Sequence, residues 1–172
     1  QSKITCNIIF MLLPPISYLQ FFGAYLLASM VRALVVGCGV LVATAWFVEL
    51  SLAAPLWALA FALLGSAVLG TLGVIAGIWA DKFDQLAGFQ NFVIMPLTFL
   101  SGVFYSIHSL PEVWQSISRF NPVFYMIDGF RYGFFGVSDV APATSFAVVV
   151  ACLACLVIAT LWLLRRGYKL RG

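Results

Sequence analysis

Charge is the scarcest ingredient of this sequence. Only 9% of its 172 residues are Asp, Glu, Lys or Arg, and 63% are hydrophobic, where a soluble domain carries ~25% charged residues. A folded chain of this size leaves a large part of its surface exposed, so no water-soluble fold hides that much apolar area. The solvent must be lipid. Histidine is nearly absent too: His108, between Ile107 and Ser109, is the single copy, so no histidine cluster with metal-ligand spacing exists. A Ser–His pair in sequence does not make a hydrolase, because a triad is a matter of geometry, and His108 is read as an interfacial polar residue. No Gly-x-x-x-x-Gly-Lys-[Ser/Thr] loop occurs, so any nucleotide this protein works with is held by another chain. Cys152 and Cys155 form a C-x-x-C, but inside the apolar run Ala147 to Leu164. Redox or metal chemistry needs a polar or electropositive setting, so they read as small inert residues. No secretory signal opens the chain, which begins at Gln1 rather than Met, so a count of spans is a lower bound.

What is present is a series of long apolar runs. Crossing ~30 Å of hydrocarbon takes ~20 helical residues. Four segments approach that length: 21–48, 56–79, 89–106 and 145–164, the third being the shortest. The runs are continuous, without the in/out alternation of a barrel strand, so the expected fold is an all-α membrane domain filling 1–172. The segment 165–172 follows the last span with Arg165, Arg166, Lys169 and Arg171, four of the nine basic residues. Basic residues mark the cytoplasmic side, which puts this tail, and with four spans the amino end, in the cytoplasm.

Between the third and fourth runs lies an aromatic stretch. Pro111 is suited to open a helix, and Asn121-Pro122 ends one helix and starts another. Two short outer helices are expected within 111–134, dipping into or lying on the leaflet where aromatic rings are favoured. Asp128 and Arg131 stand three apart, on one helical face, and are read as an ion pair that steadies the second short helix. A direct substrate contact is the alternative.

Two further features stand out in the spans. Arg32 interrupts the first apolar run. One placement makes Tyr18 to Met30 an amphipathic lead-in at the cytoplasmic interface, so that Arg32 snorkels to the headgroups. The other points Arg32 into a pore or interface. Gly70, Gly73 and Gly77 lie in the second run, and Gly73-x-x-x-Gly77 with Gly70 a turn earlier suits close packing against a neighbouring helix. At the amino end Ile4, Ile8 and Leu12 recur at helical spacing before Pro14-Pro15. They mark either an amphipathic helix within 1–17 or the tail of an upstream span.

Several stretches together carry a resemblance. Phe89-Gln90-Asn91-Phe92-Val93-Ile94-Met95-Pro96-Leu97-Thr98-Phe99-Leu100-Ser101-Gly102-Val103-Phe104-Tyr105 resembles the fifth span of bacterial type-2 ABC transporter permeases. Leu110-Pro111, Trp114, Asn121-Pro122-Val123-Phe124-Tyr125, Asp128-Gly129-Phe130-Arg131 and the closing Leu163-Leu164-Arg165-Arg166-Gly167-Tyr168 resemble their next elements. The resemblance implies the last four spans of a six-span inner-membrane permease, lacking the first two. It makes 1–17 a coupling helix, with Ile4, Ile8 and Leu12 docking on a separate ATPase. It makes 111–134 outer re-entrant helices. It implies no cofactor on this chain, with ATP and Mg on the partner ATPase, and a homodimer or heterodimer with a second permease. The partners implied are that ATPase, the second permease and lipid, with no nucleic acid. The implied activity is export of an amphiphilic, lipid-like, saccharide or drug-like substrate by alternating access. An ion-gradient transporter or channel, or a non-transporting assembly protein, is the competing reading. Gradient-driven carriers usually place carboxylates within the spans, and the central parts of these four runs have none.

Overall fold

A computed structural model describes residues 17–47, 53–102 and 111–166. Every regular element among these residues is a helix. In hydrocarbon each backbone N–H and C=O must be satisfied within the protein, and a helix does so within one segment.

Helix α1, Tyr18–Ala45, starts at a capping box. Ser17 Oγ accepts from the Gln20 N–H at 3.2 Å, and Gln20 Oε1 accepts from the Ser17 N–H at 3.1 Å. Helix α2, Pro55–Trp79, has proline in its first turn, where the missing N–H costs nothing. Next come α3, Phe83–Phe89, a π-helical turn Gln90–Ile94, and α4, Met95–Phe99. The short helices α5, Glu112–Arg119, and α6, Pro122–Phe135, precede the long α7, Pro142–Arg166. Helices α1, α2 and α7 are long and apolar enough to cross a membrane. At 1.5 Å per residue they measure roughly 37–42 Å.

The expected third span is built differently. Residues 83–99 are helical throughout but divided by the π turn, in which the Met95 N–H reaches the Gln90 carbonyl. Pro96 accounts for the break: it has no N–H to give and its ring crowds the carbonyl four residues back, and a wider turn relieves both. No helix of spanning length therefore falls there among the described residues. Pro111 also differs from expectation, standing as the cap before α5 and not as its first residue.

The antiparallel register of α1 and α2 is set by close contacts. Phe22, Ile78 and Leu164 form a cluster joining the start of α1 to the ends of α2 and α7. At the same end Arg165 lies over the Tyr18 ring, 5.5 Å from its centroid. Higher up, Gly70 meets the Ser29 side chain so closely that a Cβ at Gly70 would collide with it. Gly73 and Gly77 have open space where a Cβ would stand, so of the expected packing glycines only Gly70 is used within the described chain.

A second set of close contacts lies at the far end, between α6 and α2. A Cβ on Gly129 would strike the Phe61 ring, and one on Gly133 would come within 2.6 Å of Ala58 Cα. Trp57 and Phe61 stack at 5.9 Å, and Phe146 of α7 meets both rings edge-on at 6.0 and 6.2 Å. Phe61, Val68, Val123, Met126 and Val149 complete this core. The last carbonyls of α6 are also paired: Ala54 N–H donates to Gly133 O at 2.9 Å and Ala53 N–H to Phe134 O at 3.2 Å. Gly136, at φ 70°, ends α6 in the left-handed region, which glycine adopts without strain.

Overpacking of this kind costs about 1–3 kcal/mol. Gly133→Ala is therefore expected to lower the melting temperature in detergent clearly, because the obstacle is the Ala58 backbone. Gly73→Ala is expected to leave it unchanged, and equal losses at both positions would contradict the contact described.

Candidate functional site

The α5–α6 pair is built around polar residues that would be costly to bury unpaired. Asn121, 5% exposed, caps α6 by accepting from the Val123 N–H at 3.0 Å, and its Nδ2 donates to Leu97 O at 2.6 Å. One amide thereby starts α6 and ties it to α4. Pro122 follows in the first turn of α6. Tyr125 Oη donates to Arg119 O at 2.9 Å, closing α5 onto α6.

Asp128 is the hub of the far end. It is 2% exposed. Its Oδ1 accepts from Arg131 Nη2 at 2.9 Å and from the Asp139 N–H at 2.7 Å, and Oδ2 accepts from the Val140 N–H at 3.1 Å. Arg131 also reaches Asp139 Oδ2 at 2.7 Å. The pair sits on one face because the residues are three apart, and the turn after α6 folds back so that its N–H groups face the carboxylate. Burial works against the Arg131 charge, but the hydrogen bond and charge of Asp139, with the charge of Asp128, outweigh it and raise the guanidinium pKa above its ordinary value. Asp139 carried no signal in the sequence, since its partner lies eight residues earlier across a turn. The Gly129-x-x-x-Gly133 spacing was a readable signal, but attention to the long runs passed over a short helix.

Two apolar grooves flank the bundle. One, of about 410 Å³, opens between α1, α2 and α6, lined among others by Leu34, Gly37, Leu41, Leu59, Phe130 and Phe134. The other, of about 550 Å³, lies between α2, the π turn and α7, beside Trp79, Phe89, Val93 and Leu163. Many of the large apolar residues on α1 face outward, Val35 at 67% and Val42 at 75% exposure among them.

Arg32 lies midway along α1, which runs unbroken from Tyr18 to Ala45. An amphipathic lead-in ending near Met30 is therefore not a separate piece. With Ser29 against Gly70, Arg32 stands level with the middle of α2. Arg32 is exposed and makes no hydrogen bond or ion pair with a described residue.

Ile4, Ile8 and Leu12, the segment 1–17 up to Ser17, His108 and most of the tail 165–172 lie outside the described residues. Cys152 and Cys155 are free thiols on α7. Among the described residues no group of three or more His, Cys, Asp or Glu could hold a metal ion.

A helical bundle whose long helices turn their apolar side chains outward is a multi-pass membrane protein. The chain matches the ABC-2 type transporter family over residues 7–135 and belongs to that family. It is 37% identical over 172 residues to the inner membrane transport permease YadH of Escherichia coli K12, a match covering 99% of this chain and 67% of that protein. It is 34% identical over 96 residues to nodulation protein J of Rhizobium leguminosarum bv. trifolii, covering 55% of this chain and 36% of the relative. Against the capsule polysaccharide export inner-membrane protein BexB of Haemophilus influenzae it is 34% identical over 90 residues, 51% of this chain and 33% of the relative. No solved structure matches. The chain is thus a transport permease of the inner membrane.

Removing the Asp128 carboxylate orphans two N–H groups, each at about 1–3 kcal/mol. Asp128→Ala is expected to lower the melting temperature more than Asp139→Ala, with Asp128→Asn between them because one acceptor oxygen remains. The reverse order would show that the ion pair, and not the backbone cage, holds the turn.

Proposed function

We propose that this chain is the membrane subunit of an ATP-driven exporter, with the ATP and Mg held by a separate ATPase. The observation that carries the reading is the match across 99% of the chain to an inner membrane transport permease, supported by the family match over residues 7–135. On this reading residues 83–99 and the turn after them form a fourth crossing, the Arg165 end faces the cytoplasm, and α5 and α6 are the outer re-entrant pair. Ile4, Ile8 and Leu12 contact the ATPase, and a second permease, identical or related, completes the path.

The mechanism is alternating access. ATP binds the closed ATPase pair better than the open one, and that difference supplies the bias between inward- and outward-facing states. The open apolar faces of α1 and the aromatic α6 suit an amphiphile. The name of BexB, a capsule polysaccharide export inner-membrane protein, favours a saccharide-bearing substrate. An ion gradient is a poor alternative driver, because α1, α2 and α7 hold no carboxylate to carry a coupling proton or cation.

Tagged protein extracted in mild detergent is expected to bring down a stoichiometric ATPase. Ile8→Glu or Leu12→Glu is expected to abolish that association while the permease still accumulates in membranes. Retention of the ATPase by both variants would reject the docking role, and its absence from the unmodified protein would reject the exporter reading. A reporter fused to the carboxyl end is expected to be active only as a cytoplasmic fusion.

A further inference from the structure

Asn121 is bonded at each of its polar atoms, and the bonds run to three helices. Its N–H donates to Ser118 O at 3.0 Å, at the end of α5, and its carbonyl accepts from the Phe124 N–H of α6 at 3.1 Å. Its side chain caps α6 through the Val123 N–H and reaches Leu97 O, 24 residues away in the chain. That last bond answers a need of α4, because a helix end leaves its final carbonyls without partners. Pro96 O takes the Leu100 N–H at 3.0 Å and Thr98 O the Ser101 N–H at 3.2 Å. The carbonyl between them is met by Asn121. One buried amide thus closes the end of α4 and opens the start of α6.

The two ends of the stretch 83–99 are held differently. Beyond Asn121, α6 is fixed to α2 by Gly129 against Phe61 and Gly133 against Ala58, and to the turn before α7 by Asp128. Leu97 itself packs against the cluster of Phe61, Val68, Val123, Met126 and Val149. Toward α3 the ladder of backbone bonds is interrupted. Within the π turn the Met95 N–H goes to Gln90 O, and Pro96 has no N–H to give to the Phe92 carbonyl. Helices bend at prolines and at π turns, where the ladder is incomplete. So α4 is clamped at one end and joined at the other through the least-bonded turn of the stretch.

We propose that residues 83–99 work as a hinged arm in the transport cycle: the π turn bends, and Asn121 makes α4 travel with α6 as one body. The inference rests on the exporter reading above and gives Asn121 a positioning role within it. Asparagine suits the joint because one short side chain carries both an acceptor for the Val123 N–H and a donor for Leu97 O. Serine at this place keeps the cap on α6, but its hydroxyl is one bond shorter and loses Leu97 O. Aspartate keeps the acceptor and offers no donor. Each replacement separates the cap from the tie.

The test uses the full permease with its ATPase in proteoliposomes, with Cys6, Cys38, Cys152 and Cys155 replaced by serine and nitroxide labels on introduced thiols. One pair, Phe83→Cys with Phe135→Cys, spans the π turn. The other, Phe99→Cys with Phe135→Cys, spans the Asn121 joint, and all three positions are exposed. Distances are read by double electron–electron resonance without nucleotide and after trapping with ATP and vanadate. The first distance is expected to shift by more than about 2 Å, the scale of hinge rearrangements, and the second to hold within about 1 Å. Asn121→Ser is expected to let the second distance shift as well, by more than about 2 Å, and Asn121→Asp to do the same. A second distance that shifts with Asn121 in place would overturn the proposal. So would a first distance that stays fixed, or variants whose second distance still holds. Should neither variant accumulate, the two distances in the Asn121 protein decide. Copurification of the ATPase is scored in the same preparations: its absence would remove the exporter reading, whereas its presence with a fixed first distance would remove only this inference.

Discussion

The far end of the bundle hangs on one buried carboxylate. Asp128 accepts from Arg131 and from the backbone N–H groups of Asp139 and Val140, so it fixes at once the end of α6, the turn after it and the point where α7 begins. A charge buried alone would be costly, and here every donor that stabilises it belongs to an element whose position is thereby determined. The same helix lies glycine-first on α2 at Gly129 and Gly133, so α6 is held on two sides by contacts of different kinds, one electrostatic and one steric. Phe130 and Phe134, which help to wall the groove against α1, take their place from that docking.

Elsewhere the bundle obeys the rules of lipid, where apolar side chains gain nothing by turning inward. Polar side chains are returned to their own helices instead: Thr71 Oγ1 donates to Ala67 O and Thr160 Oγ1 to Leu156 O, both at 2.7 Å. Close approach of small residues and van der Waals contact carry the association of helices. That economy explains how α1 is attached through Phe22 and Ser29 while many of its other side chains stay exposed.

The π turn at Gln90–Ile94 is the one irregularity in the helical stretch 83–99. Pro96 denies the helix a donor, and the chain widens by one residue instead of stopping. Such turns recur at functional positions. Here the turn leaves Asn91 and Phe92 exposed and stands beside the groove shared with α2 and α7. The segment is tied down beyond the turn by Asn121 on Leu97 O, so the same short stretch joins the π turn to the α5–α6 pair.

By itself the sequence determined the solvent, the helical class and the membrane character, because these depend on composition and on the length of uninterrupted apolar runs, which are local quantities. The long helices, the Asn121-Pro122 break and the spacing of Asp128 and Arg131 were legible for the same reason: each depends on residues within a turn or two of one another. Whether 83–99 forms one straight span was not legible, since a proline within a helix can be absorbed or can end it. Nor was the choice among glycines: Gly70, Gly129 and Gly133 pack while Gly73 and Gly77 do not, and only the neighbour across the interface decides that. The roles of Asp139 and the exposed mid-helix position of Arg32 likewise came from tertiary structure, because a counter-charge, or the lack of one, is a property of what the fold brings near.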